Sequence, residues 1–392
     1  MGPPRKEGRV LRSLALIFVH YHVPELLMRA VGAARSDLEA SHLHAKIIVV
    51  DNGSHEADAR RLGTLPVDYV RSPANLGYAG GINHGVERTQ ASQLLFLNAD
   101  VEVLPGCIGT LCQALEAGAG VAGPLFYWDE GQTIMLPPTE ERSRWRALMP
   151  LVARAGSAGA AWVRRAWRRH ARRHWRANRS LRSWTLSGAL LAVRRDAWTR
   201  VGPFDDAFKL YFEETDWLHR CRRLGLPGYF VPQARAHHRY NQSAVQQPLA
   251  TAWFAESARR FETRHFGAWF VALTRHLAHA WAPLPAVTLP SASAPPMIDL
   301  APFRPRARGQ LWVEISPSLS GIPAAACIVH DHAPSRWQLP GDVWRDLAAG
   351  QYLLQVVDGA GHELGRYIFY RSPRDQAPAD PGRHGAPAVI SG

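Results

Sequence analysis

The stretch "SQLLFLNADVEVLP", Ser92 to Pro105, joins an uninterrupted apolar run to an abrupt polar tip, Asn98-Ala99-Asp100. A run of this kind is what a strand buried on both faces requires, because it offers no polar alternation for a solvated side. Working outward, "LALIFVHY" (Leu14 to Tyr21) and "AKIIVVDNGS" (Ala45 to Ser54) repeat the pattern, the second ending in turn residues. Between them "PELLMRAVGAARSDLEA" has helical spacing, with Pro24 at a first-turn position where its missing N–H costs nothing. "VDYVRSPANLGYAGGINHGVERT" (Val67 to Thr89) supplies a short strand, a glycine-rich loop and a helix. The rhythm predicts an α/β fold with a mixed, mostly parallel sheet and helices on both faces. In such sheets ligands sit beyond the carboxyl ends of the strands, and Asp51, Asn52, Asn98 and Asp100 all fall there.

The chain has 392 residues, a formal charge of +13 and a pI near 10.2. That length predicts two or three domains, and the charge points to an anionic partner such as nucleotide phosphate, anionic lipid or nucleic acid. The cysteines Cys107, Cys112, Cys221 and Cys327 are scattered without metal-type spacing and read as reduced thiols of a cytosolic protein. The N-terminus has a basic start and a short apolar run, but the run ends in His-Tyr-His with no small-residue cleavage site. It reads as a buried first strand. No stretch reaches the roughly 18 apolar residues needed to cross a bilayer.

The positive charge concentrates between Arg142 and Arg182. Wound as a helix, Val163, Ala166, Trp167, His170, Ala171, His174 and Trp175 share one side, and Arg165, Arg168, Arg169, Arg172, Arg173 and Arg176 the other. A basic helix with a Trp-bearing apolar face is the pattern of a helix lying in a membrane surface. A solvated helix packed by its Trp side on the protein, and a nucleic-acid contact, are the alternatives. Beyond Trp281, "PLPAVTLPSASAPP" reads as a linker, "GQLWVEIS" and "QYLLQVVDGAGHELGRYIFYR" as strands with a hairpin turn at Asp358-Gly359-Ala360-Gly361, and the last twenty residues as disordered. The expected organisation is therefore 12–282 for an α/β domain with an Arg-rich insertion at about 141–182, 283–298 for a linker, 299–372 for a small β-rich domain and 373–392 for a tail.

"YFEETDWLHRCRRLG" (Tyr211 to Gly225) gathers Glu213, Glu214 and Asp216 at the opening of a helical pattern. A helix dipole favours acids there, and one carboxylate projecting into a cleft could take a proton from a substrate hydroxyl. A solvated, capped helix start is the plainer reading. Asp100, two residues past its strand, is placed to hold a divalent cation, since Mg²⁺ and Mn²⁺ take a few oxygen ligands together with substrate phosphates. Asp51 offers an acceptor to base or ribose donors, and the glycines of "NLGYAGGIN" let backbone approach a nucleotide closely.

In order, "VVDNGS", "NLGYAGGINHG", "LLFLNADVEVLPG", "SGALLAVRRDAWTRVGPFDDAFKLYFEETDWLHRCRRLG" and "VPQARAHHRYNQS" resemble a family 2 glycosyltransferase of the rhamnosyltransferase-like branch, from about Leu14 to about Trp281. The resemblance implies a GT-A fold and inverting, metal-assisted transfer from a nucleoside-diphosphate sugar to a hydroxyl of a glycan or a polyprenyl-diphosphate-linked acceptor. It places Asp51, Asn75, Gly77, Gly80, Asn98, Asp100 and Gly188 at the donor. It gives Asp100 and His238 to an Mg²⁺ or Mn²⁺ ion, with His237 as the adjacent alternative. Glu214 would be the general base, flanked by Glu213 and Asp216. Two departures stand out: Asn98 replaces the first Asp of a DxD pattern, and Glu214 stands where Asp is usual, moving the carboxylate by about 1 Å. The implied setting is cytoplasmic, peripheral on the inner face of the plasma membrane, with an anionic membrane surface as partner and no nucleic acid. A catalytically decayed carbohydrate-binding or scaffold protein on the same fold is the alternative. The sugar is not legible; dTDP-rhamnose belongs to the branch, while galactofuranose, GlcNAc and mannose stay open.

Overall fold

The computed structural model describes residues 13–239, 250–279 and 291–372. The expected tail 373–392 and the first half of the expected linker, 283–290, lie outside them. Along the chain run β1 (Leu14–His20), α1 (Pro24–Ala40), β2 (Ala45–Asp51), α2 (Glu56–Leu62), β3 (Asp68–Arg71), α3 (Gly77–Glu87), β4 (Gln93–Asn98) and β5 (Val101–Val103). After these come α4 (Cys107–Glu116), β6 (Val121–Tyr127), β7 (Ile134–Met135), α5 (Arg144–Arg154), α6 (Ser157–Trp175), β8 (Leu181–Arg182), β9 (Leu190–Arg194), α7 (Arg195–Val201), α8 (Glu213–Arg223) and β10 (Gly228–His238). Two helices, Ala250–Phe266 and Ala268–His279, complete this half.

The central strand order is β3-β2-β1-β4-β9-β6. β1 pairs in parallel with β2 and β4, β2 with β3, and β10 with β6, while β9 runs antiparallel between β4 and β6. The mixed, mostly parallel α/β sheet is the one expected. Its apolar runs are buried on both faces for a visible reason. Leu16, Phe18, Leu95 and Leu97 enter the core layer shared with α1 and α4, and Ala15, Ile17, Leu94 and Phe96 enter the opposite layer with α3 and α7. Each such large side chain removed from water contributes about 1.5–3 kcal/mol.

The C-terminal unit is β-rich, as expected, and its Asp358–Gly361 turn closes the strands Gly350–Val357 and Glu363–Arg371. Two boundaries differ from the sequence reading. Ser291–Ala292 and Met297–Asp299, all but Asp299 expected in the linker, pair as strands within this unit. The unit's strand Ala325–Val329 also pairs with β7, so one sheet runs through both halves.

The Arg-rich insertion departs from the membrane-surface expectation. Trp167 and Trp175 are core residues, 1% and 5% exposed, and Trp175 stacks on Trp312 at 5.8 Å. Arg168 and Arg172, expected on a solvated face, are buried as well. Arg168 Nε donates to both carboxylate oxygens of Glu314 (3.1 and 2.9 Å), and Arg172 donates to the carbonyls of Asp358 and Gly359 at 2.8 Å. Packing by the Trp side is what occurs, with arginines added to the buried face because the C-terminal unit supplies them with acceptors. Arg165, Arg169, Arg173 and Arg176 remain exposed. No helix among the described residues is long and apolar enough to cross a membrane.

Candidate active site

At the carboxyl end of β2, Asp51 is fully buried and saturated. Ser54 N–H donates to it at 3.1 Å, His20 Nδ1 lies 3.4 Å away, and the Tyr69 hydroxyl also donates. His20 Nε2 accepts from Val23 N–H at 3.0 Å, which leaves the ring proton on Nδ1, facing Asp51 and Ser54. Burial opposes ionisation of Asp51, and the bonds from His20, Ser54 and Tyr69 outweigh it, holding the carboxyl far below its usual range.

Asn52 pins the glycine-rich loop. Its amide donates to Asn75 Oδ1 (2.9 Å) and the Gly77 carbonyl (3.0 Å), and its oxygen accepts from Leu76 N–H at 2.9 Å. Gly77 has φ +73°, and a Cβ there would meet the Lys209 carbonyl at 2.4 Å, so only glycine fits. Tyr78 N–H donates to that same carbonyl (2.9 Å), and the Tyr78 hydroxyl reaches the Gly188 carbonyl at 2.8 Å. The loop is thereby tied to the segment that opens α8.

That segment carries backbone strain. Tyr211 and Phe212 both lie in the left-handed region, φ +65° and +70°, where side-chain-bearing residues pay about 1–2 kcal/mol each. The Phe212 ring packs on Phe254 and Phe261, and Ser257 Oγ donates to the Leu210 carbonyl, which holds the turn. Below it Trp217 stacks on Trp198 at 5.8 Å and donates to the Gly202 carbonyl at 2.8 Å.

The three acids then separate. Asp216 turns to the helix Ala250–Phe266 and accepts from His265 Nε2 (2.9 Å), Arg220 Nε (2.9 Å) and Arg264 Nη1 (3.2 Å). Burial alone would raise its pKa, but these partners bring it down to about 2. Glu213 and Glu214 face a cavity of about 1220 Å³. Burial, then the charge of Glu214, push Glu213 well above the carboxylate range, and its Oε2 is buried without a hydrogen-bond partner among the described residues. Burial also raises Glu214, against the pull of backbone amides and of Thr215, whose hydroxyl donates to Oε1 at 3.2 Å.

Of the sequence-predicted positions, Asn98, Gly188, Glu213, Glu214 and His238 line this cavity. Asp51, Asn75, Gly77, Gly80, Asp100 and Asp216 are not part of its wall. Asp100 lies just behind it, with Oδ1 3.5 Å from His238 Nε2. The strand alternation of β10 separates the two histidines: His238 faces Asp100, whereas the His237 ring bonds the Trp128 carbonyl at 2.8 Å. No group of three His, Cys, Asp or Glu placed to hold a metal ion occurs among the described residues.

The glycosyl transferase family 2 sequence profile matches residues 16–185. The chain carries a family 2 glycosyltransferase domain. It is 28% identical over 252 residues to the N-acetylglucosaminyl-diphospho-decaprenol L-rhamnosyltransferase of Mycobacterium tuberculosis, covering 59% of this chain and 78% of that one. It is 23% identical over 224 residues to the low-salt glycan biosynthesis hexosyltransferase Agl10 of Haloferax volcanii, 55% and 63% of the two chains. Among solved structures, S. aureus TarS 1-349 superposes with a TM-score of 0.40 at 11% identity, over 65% of this chain and 72% of that one. The protein is a glycosyltransferase.

Two residues at the cavity escaped the sequence reading, as did the part played by a third, Asn52. Tyr78 sits inside a quoted motif, and like Asn52 it fastens loops to one another, which no spacing announces. Arg142 lines the cavity with its guanidinium 5.0 Å from the Phe212 ring. Its place in an arginine run hid it.

Proposed function

We propose that this glycosyltransferase moves a hexose from a nucleoside-diphosphate sugar to a hydroxyl of a lipid-linked glycan, with inversion, and that Glu214 is the general base. In a single displacement the acceptor oxygen bonds to the anomeric carbon as the bond to the diphosphate oxygen breaks. The nucleoside diphosphate leaves with the electron pair, and the hydroxyl proton passes to Glu214. Attack from the face opposite the leaving group inverts the anomeric centre.

One observation carries the reading: Glu214 and the Asn98–His238 wall, backed by Asp100, bound the same cavity. At about 1220 Å³ it exceeds the roughly 300–1,000 Å³ typical of a single small-molecule site, which leaves room for donor and acceptor together. Its lining brings Arg142, Arg146, Arg154 and Arg164, more cations than the neighbouring acids Glu140 and Glu141, of which Glu140 pairs with Arg146 at 2.8 Å, among Ala147, Met149, Ala160 and Val163. Such a mixture suits an acceptor with an anionic head and an apolar chain. The Mycobacterium relative, by its name, acts on a decaprenyl-diphosphate glycan. An acceptor of that kind resides in a membrane, so peripheral association with the cytoplasmic face, and a place in polysaccharide biosynthesis, come with the reading.

Asp100 and His238, at 3.5 Å, fit one side of an Mg²⁺ or Mn²⁺ shell, whose remaining positions would go to diphosphate oxygens and water. When bound, such an ion neutralises charge on the departing diphosphate. Asn98 contributes an uncharged side chain to the same wall.

The test is transfer or hydrolysis from a panel of nucleotide sugars with Mg²⁺ or Mn²⁺, for wild type and Glu214→Gln. The reading requires that one donor turn over and that the variant keep donor binding while losing about two or more orders of magnitude in kcat. Equal rates would remove the base. Donor binding without turnover in wild type would favour a decayed sugar-binding protein.

A further inference from the structure

We propose that the joined surface of α5, the first half of α6 and the helix Ala268–His279 seats the enzyme on an anionic lipid bilayer; this rests on the lipid-linked acceptor reading and assigns it a face. Three tryptophans stand out in solvent there: Trp145, Trp162 and Trp269, 58%, 42% and 65% exposed, with Leu273 and Leu277 beside Trp269 on its helix. They form one patch. The Trp145 and Trp162 rings meet edge-to-face at 6.2 Å, and Arg144, next in sequence to Trp145, holds its guanidinium 5.9 Å from the Trp269 ring. Arg144 is itself anchored on the Phe266 carbonyl at 2.8 Å.

Soluble surfaces scatter such residues singly, and a contiguous group marks an interaction site. The surrounding charge selects the partner. Arg144, Arg154, Arg165, Arg169 and Arg275 are exposed on these helices, and neither 142–176 nor 267–279 contains an acid. A second copy of the chain would bring arginine against arginine. Anionic headgroups complement it, with tryptophan at the level where its apolar body and polar edge are both satisfied. The position also suits the chemistry. α5 and the helix Ala268–His279 contribute Met149, Pro150 and Thr274 to the cavity that holds Glu214, so a lipid-borne glycan entering from this face need not leave the membrane. This is a different surface from the buried Trp167 and Trp175 face of α6.

The full chain is tested by flotation with vesicles of phosphatidylcholine alone and of phosphatidylcholine with phosphatidylglycerol. Wild type should float with the anionic vesicles, less at high salt, and the triple variant Trp145→Ala/Trp162→Ala/Trp269→Ala should lose about tenfold or more in partitioning. Its turnover of nucleotide sugar without vesicles and its melting temperature should match wild type. Wild type that stays at the bottom of the gradient, or a triple variant that floats equally, overturns the proposal. So does a patch whose loss shifts a dimer to monomer in sedimentation without any flotation. Wild type that turns over nucleotide sugar but does not float strikes this face alone; wild type that floats without turnover strikes the transferase reading instead.

Discussion

Gly188 and Glu214 stand so close that a Cβ on the glycine would lie 3.0 Å from Glu214 Cγ and 3.3 Å from its Cδ. The absent side chain is what lets the carboxylate lie against the end of β4 and β9. Gly188→Ala should therefore displace Glu214 by a few tenths of an ångström and lower kcat by about tenfold, since attack geometry is sensitive at that scale. Donor affinity, read by isothermal titration, should change little. An unaltered kcat would show that this contact does not set the geometry.

The pH profile should carry the mark of the buried acids. Glu214 must be ionised to accept a proton, and burial raises its pKa while Glu213, Tyr78 and Arg142 border it. Activity should fall, as pH decreases, at a value above the roughly 4.3 of a solvated glutamate. Glu213, pushed well above that range by burial and by the charge of Glu214, stays protonated while Glu214 titrates, so Glu213→Gln should leave that limb where it is.

The two adjacent histidines should behave differently. His238→Ala and Asp100→Ala should each abolish the metal-dependent part of donor binding, measured by thermal shift with nucleotide sugar and Mn²⁺. His237→Ala removes the bond to the Trp128 carbonyl and a 3.9 Å contact with Glu102, so it should lower the melting temperature and leave metal-dependent binding in place. The reverse result would move the ligand one residue along β10.

Asp216 should act on stability. Its carboxyl is held at about 2, below the roughly 3.9 of an unfolded chain, so its contribution is present above pH 4 and is lost as pH falls from 4 to 2. Asp216→Asn should cost about 2 kcal/mol at neutral pH and flatten the acid slope of urea-unfolding stability in that window.

The Arg168–Glu314 pair fixes the insertion to the C-terminal unit, at 4% and 0% side-chain exposure. Removing either partner leaves the other charge buried, so Arg168→Ala or Glu314→Ala should destabilise by about 3–5 kcal/mol, whereas Arg168→Met/Glu314→Leu together should cost less. A double-mutant cycle in urea reads the difference.

Much of the catalytic half was legible because its signals are local. The run Leu94–Leu97 before Asn98 announced a buried strand and its polar tip, and "EETD" announced an acid-rich helix start. Which acid faces which way was not legible: Asp216 is claimed by His265, some fifty residues later in the chain. The face of α6 failed for the same reason. Helical periodicity sorts side chains but does not say what covers them, and the acceptors of Arg168 and Arg172 lie at Glu314, Asp358 and Gly359. The exposed tryptophans were hidden likewise, because Trp145, Trp162 and Trp269 meet only in space.

The pairing of Ile134 and Met135 with Cys327 and Ala326 ties the two halves through backbone hydrogen bonds. A truncation ending before the C-terminal unit would leave β7 as a bare edge and strand Trp175 and Arg168 without their covers, a template for aggregation. The unit is thus not a detachable cassette: recombination that swapped it for another sheet would have to reproduce that register and the acceptors for two arginines at once.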